Sequence, residues 1–233
     1  MPVIKDISIE IGMEEVLRRE GIDAGKDMRP RIKEALDEAL EEAGSSGLIE
    51  PVAAYESYRS TGMSEAGVRL EGGGEITGSL IPEVFPGADG LVAMVCTIGQ
   101  GLEDRVREHF ENGEQMRGLM LDGIGSAAVD VLSIEACHRV MQSLSARGAA
   151  VSSPVNPGMP GLPLTEQAHI LELARAGEIG VSLTSGGMLV PRKSASMVIG
   201  VGENMPRWTQ EQVCAKCFLR KNCLYRVRPA TRG

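Results

Sequence analysis

The chain has 233 residues, 42% hydrophobic and 24% charged, enough apolar material for one sizeable globular core. Aromatic residues are only 3% while methionine numbers 12, so core volume must come from Val, Ile, Leu, Ala and Met. The net charge of −8 is uneven: the last 20 residues hold six bases and no acid, so residues 1–213 carry −14, a body that repels the phosphates of nucleic acid.

The opening MPVIKDISIEIG lacks the unbroken apolar core of a signal peptide, and no apolar run nears the roughly 20 residues needed to cross a bilayer. A cytoplasmic location away from membranes is expected. The five cysteines are then expected as thiols or ligands rather than disulfides. Residues 30–43 predict an amphipathic helix, with Pro30 in its first turn, an apolar face of Ile32, Ala35, Leu36, Ala39, Leu40 and Ala43, and Gly44 ending it. Residues 51–59 and 68–70 read as strands, with the glycines at 72–74 as a turn. The continuous apolar run 91–97 reads as a buried strand, followed by a helix over about 100–110. Residues 116–146 form one long helix or two in succession. Gly118, Gly123 and Gly125 each cost roughly 1 kcal/mol against Ala there, which points to close backbone packing or to a kink.

The segment 152–164 is dense in proline and glycine, which forbids a helix and stiffens a loop. Thr165 is placed to cap a helix over 166–175. Residues 179–183 and 196–201 read as strands flanking a glycine turn at 186–187. Long helices and short strands without βαβ alternation give an α+β class. We divide the chain into a domain over 1–205 and a basic cysteine-bearing tail over 206–233.

Three features carry candidate chemistry. Gly99-Gln100-Gly101 lacks the third glycine and the ribose carboxylate of a dinucleotide site, and reads as a tight turn. The loop 154–161, PVNPGMPG, offers main-chain groups at fixed positions, suited to an adenosyl or amino-acid moiety or to a structural crossover. Cys214, Cys217 and Cys223, set among Lys and Arg, have thiolate and metal-ligand character, for zinc or an iron–sulfur cluster or as redox-active thiols. They supply three ligands; Cys96, Cys137, a partner or an exogenous group would supply a fourth. No GxSxG, HExxH, Walker A or corrinoid-binding DxHxxG pattern is present.

Several segments together resemble a known family. LMLDGIGSAAVD (119–130), NPGMPGLPLTEQAHILELA (156–174) and IGVSLTSGGMLVPRKSAS (179–196) are similar, in order and spacing, to the activation domain of cobalamin-dependent methionine synthase and its stand-alone relatives. MEEVLRREGI (13–22) and LVAMVCTIGQGLEDRV (91–106) look like the stand-alone members. The resemblance implies a single α+β domain with a twisted antiparallel sheet and long helices. It implies S-adenosylmethionine (SAM) bound in a shallow groove beside the loop, a corrinoid carried by a partner methyltransferase, and a flavodoxin-like or ferredoxin-like electron donor. The protein would be a methyltransferase activation component that helps return an oxidised cobalamin to its methylated form. The positions carried over are Asp130, Asn156, Pro157, Gly158, Met159 and Thr184, with Ser196 in the later element. The loop's arginine place falls near Pro154, its tyrosine is Met159, and the acid after Thr184 is Ser185. Arg192 or Lys193 are the bases placed to compensate. The cysteine tail resembles tails on some stand-alone relatives. A metal-binding redox or docking module of the same fold, without SAM, is the alternative expectation.

Overall fold

A computed structural model describes residues 3–20, 29–45 and 47–207, with the isolated positions 212 and 221. Cys214, Cys217 and Cys223 lie outside the described residues, as does nearly all of the tail.

The fold is built on β5 (Gly90–Thr97), whose eight residues are all buried. Side chains alternate across a strand. Val92, Met94 and Cys96 therefore face one core, while Leu91, Ala93 and Val95 face a second. Such a strand has no polar face to alternate with, which is why it reads as an unbroken apolar run. It pairs antiparallel with β2 (Val52–Ser64) on one side and β9 (Ser194–Gly202) on the other. The long strand β2 continues past β5 to pair with β3 (Gly67–Leu70), which pairs with β4 (Glu75–Thr77). Its other partner is the short β1 (Val3–Ile4), and β6 (Ala150–Val151) adds to β9. The order β4-β3-β2-β5-β9-β6, with β1 beside β2, makes a curled antiparallel sheet.

One face is covered by α1 (Met13–Glu20), α2 (Pro30–Ser45), α4 (Gly101–Glu111) and α5 (Gln115–Ser145). The other is covered by α3 (Leu80–Val84), α6 (Glu166–Leu173) and the β3–β4 hairpin. The segment expected as one helix or two is a single 31-residue helix, α5, and two of its glycines, Gly118 and Gly125, lie against the neighbouring helix. A Cβ on Gly118 would stand 3.1 Å from the Phe110 ring, and one on Gly125 would stand 2.6 Å from Leu102 Cδ2. Both neighbours belong to α4, so a methyl at either glycine would force an α4 side chain to shift.

The structure corrects three local expectations. Thr165 precedes α6 but makes no side-chain cap; its backbone is already helical (φ −60°, ψ −26°), so its oxygen is not aimed at the first amides. The helix ends at Leu173, because Arg175 takes a left-handed conformation (φ 52°) and opens a 3₁₀ turn over Ala176–Ile179. The strand expected over 179–183 shrinks to β7 (Ser182–Leu183), paired across the glycine turn with β8 (Leu189–Val190). Residues 196–201 belong instead to β9 of the main sheet. Among the described residues, no helix is long and apolar enough to cross a membrane.

Candidate functional site

The loop 152–164 runs along the outer edge of β9. Ser152 N–H donates to Gly200 O, and Val155 forms an isolated antiparallel bridge with Val198. The next residue, Asn156, donates from Nδ2 to Ser196 O at 2.9 Å. Tight turns then close the loop on itself: Met159 N–H to Asn156 O, Leu162 N–H to Met159 O, and Gly158 N–H to Leu162 O. Gly158 sits at φ +90°, and a Cβ there would make only an ordinary contact, 3.8 Å from Leu164 Cδ1, so backbone conformation, not crowding, demands glycine. Gly161, at φ +86°, lets the loop press on α3, with Leu80 N–H donating to its carbonyl. The stiffness expected from four prolines is thus reinforced by hydrogen bonds at both ends.

Asp130 belongs to α5, which covers the face of the sheet opposite α6. α5 and β9 run in one direction: Ser126 meets Lys193, Ser133 meets Cys96 opposite Ala195, and Cys137 meets Met197. Asp130, exposed and one turn before Ser133, is therefore level with residues 194–195. Thr184 lies in the β7–β8 hairpin, where its hydroxyl accepts the Met188 N–H and shapes the turn. Pro157 is half-buried in the bend.

A residue that motif reading passed over joins these parts. Gln167, 8% exposed on α6, accepts from Ser196 Oγ (3.2 Å) and donates to Gly187 O (2.7 Å). Ser196 in turn offers its carbonyl to Asn156. One buried amide therefore ties the hairpin tip, α6 and β9 to the loop. The only signal in the sequence was a polar residue on the apolar face of a short helix. Its neighbour Glu166 pins β4, accepting from the Thr77 amide and hydroxyl and from His169 Nδ1. Burial pushes the Glu166 carboxyl up, but those hydrogen bonds and the His169 charge outweigh it and hold it below the usual range.

Met159 folds back on its own loop. Its side chain packs toward the second core, and its sulfur takes the Asn156 N–H at 3.4 Å, so the bend is partly filled from within. The compensating base expected in Lys193 is already engaged: Nζ bonds Asp122 Oδ1 and Ser126 Oγ, each at 2.8 Å. Arg192 is exposed and opens onto a separate groove between α4 and α5.

Cys96 and Cys137, named as candidates for a fourth ligand to the tail cysteines, are free and buried. Cys137 is on the buried side of α5 and Cys96 is on β5, and burial lifts their thiols to about 12 and about 11, where the thiolate is disfavoured. Among the described residues, no group of three or more His, Cys, Asp or Glu side chains is arranged to hold a metal. His109 is buried between the carboxylates of Glu42 and Glu114, a structural pairing of α2 with α4 and the start of α5.

A curled antiparallel sheet, one long glycine-bearing helix and a proline–glycine loop on the edge strand define the chain as a protein of the methionine synthase reactivation-domain fold. Among solved structures, it is similar to the MetH reactivation domain bound to AdoHcy, at 13% identity over 82% of this chain and 72% of that one, with a TM-score of 0.62. That likeness establishes the fold. No family model matches the chain, and no curated protein does.

Proposed function

We propose that this chain binds SAM beside the loop 156–159 and serves as an accessory component for reactivating a corrinoid carried by a partner methyltransferase. The observation that carries the reading is the pinned bend. Asn156 is held to Ser196 O on the edge of β9, level with the carboxylate-bearing turn of α5 that holds Asp130. The MetH reactivation domain, solved with AdoHcy, supports it through the shared fold. AdoHcy is what SAM becomes once its methyl has left.

The residues present fit a sulfonium better than a carboxylate. Asp130 provides negative charge, while the Asn156 and Thr184 side chains provide neutral polar groups. Bound SAM supplies an electrophilic methyl group. The protein's part is to fix its position: Gly158 keeps the main chain bare, Asn156 anchors the bend, and Gln167 holds the hairpin against β9. With no arginine in the loop, a bidentate clamp on the ligand's carboxylate is missing, a loss of about 1.5–3 kcal/mol against a site that has one. We therefore expect weak binding. Calorimetric titration should show saturable heat with SAM, weakened several-fold in Asn156→Ala and in Asp130→Asn. Absence of heat and of competition at millimolar SAM would remove the proposal.

A second reading is favoured by Met159, whose side chain fills part of the bend. In it the body docks a corrinoid partner without SAM, and the tail cysteines carry a metal or cluster. Retention of a corrinoid protein regardless of SAM, together with metal in anaerobically purified protein, would support this reading over the first.

A further inference from the structure

The α4–α5 hairpin carries an open groove of about 690 Å³ that shares no residue with the candidate site. Val106, Phe110 and Leu119 form its apolar part. Phe110 and Leu119 remain 44% and 48% exposed, and Met116, one turn before Leu119, is 42% exposed. These are large apolar side chains on the outside of a helix pair that Gly118 and Gly125 draw tightly together. They do nothing for the core beneath.

Charge indicates what can cover them. The body 1–213 carries −14, so most of its surface repels another acidic protein. The groove does not. Its three acids, Glu103, Glu111 and Asp122, are matched by Arg107, Arg192 and Lys193. At one end Lys193 is satisfied by Asp122, and its amide by Glu103. Among the described residues, Arg192 at that end has no ionic partner. At the other end Glu111 is held only at 4.0 Å by Arg107, and both side chains are more than 60% exposed. The ends are separated by the two turns of α4 from Glu103 to Glu111, about 12 Å.

We propose that a second copy of this chain docks on the groove across a two-fold axis. Two-fold, isologous contact is the commonest way for identical chains to associate, and it lays each groove antiparallel to the other. Phe110 and Leu119 of one copy then meet those of its partner, and each Arg192 end faces a Glu111 end. The groove's own three acids and three bases cancel, so two copies approach there with less repulsion than the body's net charge imposes. The exposed apolar area of three side chains is small beside the ~800 Å² per partner of a standard interface, so the dimer dissociates readily on dilution.

The test is sedimentation equilibrium of the full chain in reductant, which prevents cysteine cross-links, from micromolar to millimolar concentration. The mass should rise from 24.8 kDa toward twice that value as concentration increases. Leu119→Asp should hold it at the monomer. Arg192→Glu and Glu111→Arg should each weaken association about tenfold, and the two together should restore it. All three positions are exposed, and unchanged melting temperatures confirm that the variants fold. A monomer at every concentration overturns the proposal and assigns the groove to a different partner. So does a dimer that Leu119→Asp leaves intact, or charge reversals whose effects add instead of cancelling.

Discussion

Replacing Gln167 by Ala tests whether one buried amide holds the candidate site together. The substitution removes two hydrogen bonds, to Gly187 O at 2.7 Å and from Ser196 Oγ at 3.2 Å. The half-buried Gly187 carbonyl can regain water, so its loss is modest. Ser196, 3% exposed, is left with a buried hydroxyl lacking its acceptor, which costs about 1–3 kcal/mol. Adding the smaller loss at Gly187 to the middle of that range gives a sum of about 2–3 kcal/mol. For a domain of this length, where each kcal/mol moves the melting point by roughly 2–4 °C, the expected fall is on the order of 4–12 °C by calorimetry. The mechanism makes a sharper claim through a double-mutant cycle. In a Ser196→Ala background there is no hydroxyl to orphan, so Gln167→Ala should cost about 1 kcal/mol less than in the parent. Saturating SAM should also raise the melting point less in Gln167→Ala than in the parent, because the hairpin is no longer tied to β9. Strict additivity of Gln167→Ala and Ser196→Ala would refute the argument that the amide works through Ser196.

Further outcomes follow from the same geometry. Gly125→Ala should destabilise by about 1–2 kcal/mol despite Ala's better helix propensity, because its methyl would stand 2.6 Å from the fully buried Leu102. Gly44→Ala in α2, with nothing within 4 Å, should be neutral or stabilising; equal effects at the two sites in chemical denaturation would count against close helix approach. Glu166 has a folded pKa below its ordinary value of 4.5, so its contribution is present above that pH and disappears as pH falls through the folded value. Glu166→Gln should therefore flatten the decline of melting temperature below about pH 4.5, with some slope remaining from Glu42 and Glu114, which are also lowered. On the second reading, metal analysis of anaerobically purified protein finds zinc or iron that is lost on replacing Cys214, Cys217 and Cys223 by Ser, while Cys96→Ala and Cys137→Ala leave it unchanged; metal-free protein that still binds SAM would refute that reading and keep the first.

How much of the site was legible differs residue by residue. The bend at 156–161 was legible because proline and glycine act locally: their permitted dihedrals force a turn whatever surrounds them. Asp130 could be placed on a helix but not beside β9, since that depends on the shared direction of α5 and the strand. Met159 stands where the resemblance puts a tyrosine, and the sequence does not show that its flexible thioether folds onto its own loop to take the half-buried Asn156 N–H. Gln167 carried no motif at all. Its partners are 20 and 29 residues away, and only packing brings them within reach.

By itself the sequence determined the elements whose signals are local and strong: the amphipathic helix from Pro30, the buried strand at 91–97, the long helix from residue 116 and the stiff loop after residue 152. Only the tertiary structure decided which partners those elements found. It merged 196–201 into the main sheet, set α5 close on α4 at Gly118 and Gly125, and drew Asn156, Ser196, Gln167 and Gly187 into one buried network. Hydrophobic periodicity says which face of an element must be covered. It does not say which neighbour covers it, because burial is non-directional and hydrogen-bond partners are chosen once the packing has brought them together.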